Sequence, residues 1–63
     1  MLRVIQTTDG KYTGLTMPID PLDPPAVIEV GDGTRFRPVN WVEVETGKWR
    51  IWNANYMVLA EVV

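Results

Sequence analysis

Between residues 40 and 56, apolar and polar side chains alternate with a period of two on both sides of Thr46-Gly47. That period puts successive side chains on opposite faces of a strand. With Thr46 and Gly47 as the turn, Glu45 faces Lys48, Val44 faces Trp49, Glu43 faces Arg50, Val42 faces Ile51 and Trp41 faces Trp52. Opposite charges then meet, and so do apolar residues, as cross-strand pairing favours. A three-residue loop, 45–47, would set Glu43 against Trp49 and Val42 against Arg50. The pattern therefore predicts the two-residue turn, although threonine is an uncommon first residue there.

The same alternation, cut by turn residues, runs through the rest of the chain. Residues 2–7 read as a strand, followed by Asp9-Gly10, a strongly favoured hairpin dipeptide. That turn would oppose Val4 with Leu15 and Leu2 with Met17 as one apolar face, and set Gly14 against Ile5 as a marker of a bulge or bend. Residues 18–25, PIDPLDPP, hold four of the five prolines and predict a stiff crossover between two sheets, pinned by Ile19 and Leu22. Residues 26–30 form the next strand. Gly31-Asp32-Gly33 then makes a three-residue loop, a type I turn with Gly33 left-handed, opposing Glu29 with Arg35 and Ile28 with Phe36. No helix follows this triplet, so it is not a phosphate loop.

Along residues 34–45 Phe36, Val42 and Val44 are even-numbered, while Val39 and Trp41 are odd, with Pro38 between them. A bend around Pro38 would let one long strand serve two sheets. The loop Asn53-Ala54-Asn55 opposes Trp52 with Tyr56, Ile51 with Met57 and Trp49 with Leu59, and the apolar tail 56–63 is expected to pair with residues 2–7. No segment carries a helical period with a cap at its start. The expectation is an all-β fold: one domain, 1–63, built as a small five- to six-stranded antiparallel barrel or meander. Its general layout resembles the SH3-like small barrels, but the peptide-binding motifs of SH3 domains are absent, so the resemblance implies architecture alone.

Composition narrows the chemistry. The chain has 63 residues with no cysteine and no histidine, which removes disulfides, thiolate metal sites and the commonest general base. No metal or cofactor is expected. Three Trp, two Tyr and one Phe must supply much of the burial. The net charge is −2 and the six basic residues are dispersed, which argues against binding nucleic acid by neutralising phosphates. Asp20, Asp23, Glu29 and Asp32 lie on or beside loops, with no spacing that pairs them for acid–base work, so no catalytic activity is expected. No apolar run is long enough to span a membrane, and the N-terminal stretch lacks a signal-like apolar segment. The expected location is the cytoplasm, or an assembly formed there.

Carried through, these registers place Val42, Val44, Trp49, Ile51, Met57 and Leu59 on one face, expected to be core. Trp41, Trp52, Tyr56 and Val58 fall on the other, with Glu43, Glu45, Lys48 and Arg50. Either the rings are covered as a second small core, or they form an exposed platform. Trp, Tyr and Arg dominate interface hot spots. The candidate partner-binding set is therefore Trp41, Trp52, Tyr56, Arg50 and Glu43, in a non-catalytic protein-binding or assembly module. Its partner would be another protein, a second copy of the chain included, and an accessory role in a phage or other viral complex suits its size. The alternative is a barrel that stacks single-stranded nucleic acid on Trp41 and Trp52.

Overall fold

The computed structural model describes every residue except Asp32. Alternation does produce strands throughout: β1 (Leu2–Thr7), β2 (Thr16–Met17), β3 (Ile28–Val30), β4 (Thr34–Phe36), β5 (Asn40–Glu45), β6 (Lys48–Trp52) and β7 (Met57–Val62). Five of them form an antiparallel sheet in the order β2-β1-β7-β6-β5, and β3 and β4 form a second, two-stranded sheet. The C-terminal strand pairs with β1, as expected of so apolar a tail. The bend at residues 37–39 separates β4 in one sheet from β5 in the other. Residues 18–25 carry the chain from β2 to β3 between the sheets; Ile19 is buried there, whereas Leu22, expected to pin the segment, is 83% exposed.

The core lies between the sheets. Leu2, Val4, Met17, Ile51, Val58 and Ala60 project from one face of the large sheet onto Ile28, Val30, Phe36 and Ile19. A bulge at Ile5 shifts the β1–β7 register, so Thr7 rather than Gln6 follows Val4 inward. Thr7 is 2% exposed. Its hydroxyl lies 2.7 Å from both Asp9 Oδ1 and the Lys11 carbonyl, which satisfies a polar group that burial would otherwise penalise.

The barrel expectation is corrected. The sheet does not close: β2 and β5 are its edges. Prolines at 18, 21, 24, 25 and 38 occupy the two segments between the sheets and take away the donors that closing ladders would need. The Asp9-Gly10 two-residue turn is also replaced, although Leu2 still opposes Met17 as expected. Two successive turns form instead, with the Gly10 amide donating to the Thr7 carbonyl and the Leu15 amide to the Tyr12 carbonyl, both at 3.1 Å. The Asp9 carboxylate accepts the Lys11 amide at 3.1 Å, and this local bond competes with the ladder. Leu15 is 47% exposed rather than part of an apolar face. The glycine bulge is present, one residue from its expected partner: Gly14 and Leu15 together oppose Val4, through bonds of 2.8 Å in each direction.

In the β3–β4 hairpin Ile28 opposes Phe36 and Glu29 opposes Arg35, as expected. The turn type assigned to residues 31–33 involves Asp32 and lies outside the described residues.

The β5–β6 hairpin keeps its turn and loses its register. Glu45 pairs with Lys48, but Val44 is bulged out, so Glu43 opposes Trp49, Val42 opposes Arg50, Trp41 opposes Ile51 and Asn40 opposes Trp52. Cross-strand charge pairs are worth about 0.2–1 kcal/mol. Turning an indole inward buries more: half of its roughly 150–250 Å² at about 25 cal/mol per Å² gives on the order of 2–3 kcal/mol. The Glu43 carboxylate also accepts the Gly47 amide at 3.1 Å, which ties the bulged strand to its own turn.

The β6–β7 turn, by contrast, is one residue longer than expected. Asn53 Oδ1 accepts the amides of Asn55 and Tyr56, each at 2.8 Å, and closes a four-residue loop. Trp52 therefore opposes Met57, Ile51 opposes Val58 and Trp49 opposes Ala60. Val58 and Ala60 point to the core, while Val42 and Val44, expected there, are 46% and 48% exposed.

Candidate functional site

These two one-residue shifts redistribute the residues expected to form one aromatic platform. Arg50 and Trp52 keep the outer face of the large sheet, away from the core. Trp41 faces inward opposite Ile51 and packs against the core beside Trp49. Tyr56 also packs against the core from the β6–β7 turn, its ring centroid 5.1 Å from that of Phe36 at a tilt of 59°. Glu43 opposes Trp49. Trp41 and Trp52 thus lie on opposite faces, and no surface of three adjacent rings exists.

The outer face has its own organisation. The Arg50 guanidinium carbon lies 4.7 Å from the centroid of the Trp52 ring, two residues along the same strand. Val42 and Leu59 flank Arg50 from β5 and β7, and Met57 flanks Trp52. Ion pairs border this patch: Arg3 with Glu61 at 2.6 Å and Lys48 with Glu45 at 3.4 Å. Every large-sheet residue in the core points the other way. The apolar groups around Arg50 therefore add nothing to the interior of the chain itself.

Tyr56 belongs to a different cluster. Its hydroxyl donates to Asp9 Oδ1 at 3.1 Å, the same oxygen that takes the Lys11 amide. The hydrogen bond from Thr7, with those from Lys11 and Tyr56, holds the Asp9 carboxyl below its ordinary value. Burial, with the Asp9 carboxylate adding to it, raises the Tyr56 phenol. These bonds fasten the loop after β1 to the β6–β7 turn and hold Tyr56 in place.

Glu43 reaches a cleft that the sequence pattern does not reveal. Trp49, Met1, Asp20, Leu22 and Val62 join it around a volume of about 440 Å³. The lining comes from both ends of the chain, the proline-rich crossover and the β5–β6 hairpin, so no local spacing signals it. The exposure of Leu22 is the one sign, and it needs the structure to be seen.

Among the described residues, no group of three or more Asp, Glu, His or Cys side chains is placed to hold a metal ion. Among the described residues, no helix is long and apolar enough to cross a membrane. No protein-family model, curated protein or solved structure matches this chain.

Proposed function

We propose that this chain is a non-catalytic protein-binding or assembly module that engages its partner through the outer face of β5, β6 and β7. The observation that carries this is the division of the large sheet: the buried core lies on one side, yet Val42, Leu59 and Trp52 flank Arg50 on the other, with Met57 beside Trp52. A tryptophan with an arginine against it is the kind of pair that anchors interfaces. Trp41 and Tyr56 act here as supports for the fold, and Glu43 belongs to the cleft. The partner is another protein, a second copy of the chain included, within an assembly formed in the cytoplasm; a viral complex fits a module this small.

Single-stranded nucleic acid would also stack on Trp52, but the neighbouring Arg3 and Lys48 are already paired with carboxylates, which weakens the attraction for phosphate.

The test places a photo-crosslinking residue at position 52 or, as control, at position 35, in cells that make the protein. Adducts formed from 52 and absent from 35 support the assignment, and their mass distinguishes a second copy from another protein. Absence of any adduct specific to 52, or steeply salt-dependent binding of a labelled single-stranded oligonucleotide that Trp52→Ala abolishes, overturns it.

A further inference from the structure

The cleft over Trp49 is separate from the outer face and opens on the core side of the large sheet, at its β5–β6 turn end. We propose that it is a binding slot for a basic side chain, arginine or lysine, presented by a partner protein.

Trp49 is part of the lining; it is partly buried and packs against the core. Met1, Leu22 and Val62 form an apolar rim and are 57%, 83% and 51% exposed. Glu43 and Asp20 bring carboxylates to the lining from two different segments. Each uses one oxygen locally: Glu43 Oε2 accepts the Gly47 amide at 3.1 Å, and Asp20 Oδ1 accepts the Leu22 amide at 2.9 Å. The other oxygen of each takes no hydrogen bond among the described residues, and neither carboxylate is in an ion pair. Among the described residues, no lysine or arginine lines the cleft.

Each part of this lining selects the same ligand. An indole face attracts a cation by its quadrupole. Two carboxylates with an unused oxygen each supply acceptors for ammonium or guanidinium donors. The apolar rim suits the methylene stem of a long basic side chain, which buries its carbons while the charge stays near water. A cleft of about 440 Å³ is in the range of small-ligand sites and accommodates one such side chain with its flanking backbone. An anion would meet two negative groups, and a purely apolar group would leave both without a counter-charge.

The experiment titrates the isotope-labelled protein with acetyl-Gly-Arg-Gly-amide or acetyl-Gly-Lys-Gly-amide, with the norleucine tripeptide as a neutral control. The readout is the Trp49 indole N–H and the amides of Glu43 and Leu22. Saturable shifts are expected, with a dissociation constant on the order of 1–10 mM for a single side chain. The norleucine peptide should bind about tenfold more weakly. The double variant D20N/E43Q should lose about five- to tenfold in affinity for the basic peptides. It keeps both turn hydrogen bonds, because an amide oxygen accepts as a carboxylate oxygen does, and unchanged core methyl signals verify its fold. Equal binding of the norleucine peptide, equal affinity in the folded double variant, or no shift at Trp49 overturns the proposal. Failure here leaves the outer-face assignment standing, because the crosslink at position 52 lies on the opposite side of the sheet.

Discussion

The Tyr56 hydroxyl donates to Asp9 Oδ1 at 3.1 Å and so joins the last turn of the chain to the loop after its first strand. Asp9 is thereby a titrating clasp. Its carboxyl is lowered in the fold, first by the Thr7 hydroxyl and then by the Lys11 amide and Tyr56. A lowered carboxyl stabilises the fold fully above the unfolded value, about 3.9, and progressively less as pH falls through the folded one. Asp9→Asn keeps an acceptor oxygen and loses the charge. The stability difference between wild type and this variant should favour wild type at neutral pH and vanish toward pH 2. Tyr56 is the mirror case: burial raises its phenol, so its contribution is complete below about pH 10 and declines above it. Urea melts across both limbs check these signs, and an unchanged acid limb in Asp9→Asn would refute the first.

Gly31 has φ +62°, and a Cβ added there would overlap the Tyr12 ring. Gly47 has φ +78° with open space around it. Gly47→Ala should therefore cost only the left-handed penalty, about 1 kcal/mol. Gly31→Ala should cost that and a steric displacement besides, about 2–4 kcal/mol in all. Because the clash is with one ring, the effects are coupled: in a Tyr12→Ala background, Gly31→Ala should fall back toward about 1 kcal/mol. Additive costs across this double-mutant cycle would place the ring elsewhere.

The β5 register has an equally direct test. Val42 is 46% exposed on the outer face, whereas Val58 is fully buried. Valine to threonine preserves shape and adds a hydroxyl, which is costly only where no partner can reach it. Val42→Thr should change stability by less than about 0.5 kcal/mol, and Val58→Thr should lower it by roughly 1–3 kcal/mol. The reverse order would restore the register in which Val42 is core.

What the alternation could and could not show follows from these residues. The parity of β6 was legible, with Trp49 and Ile51 inward and Arg50 and Trp52 outward, and so were the Glu29–Arg35 pairing, the break at Pro38 and the pairing of the last strand with the first. Both neighbours of β6 were displaced by one residue. A bulge at Val44 and a fourth turn residue, Tyr56, each depend on a side chain bonding backbone amides, Glu43 to Gly47 and Asn53 to Asn55 and Tyr56. Cross-strand preferences are too small to outweigh such bonds together with the burial of an indole. A one-residue displacement inverts every side chain beyond it. The platform of Trp41, Trp52 and Tyr56 therefore dissolves, while Arg50 and Trp52 keep the face assigned to them. The cleft was illegible because residues 1, 20–22, 43, 49 and 62 meet only in the folded chain.

The two tryptophans once paired in the alternation now separate the fold from its surface. Trp41 packs inward opposite Ile51; Trp52 lies outward against Arg50. Trp41→Ala removes a partly buried indole from a small core and should cost roughly 2–4 kcal/mol, a large fraction of the stability a chain of this size holds. Trp52→Ala forfeits the cation–π contact of a half-buried ring with the exposed Arg50 and some outer-face packing, about 1 kcal/mol, and should leave the core methyl signals in place. Chemical denaturation gives the two costs, and amide spectra show whether the native pattern survives. If Trp52→Ala proved as damaging as Trp41→Ala, the outer face would be part of the fold's own stability and could not be spared for a partner.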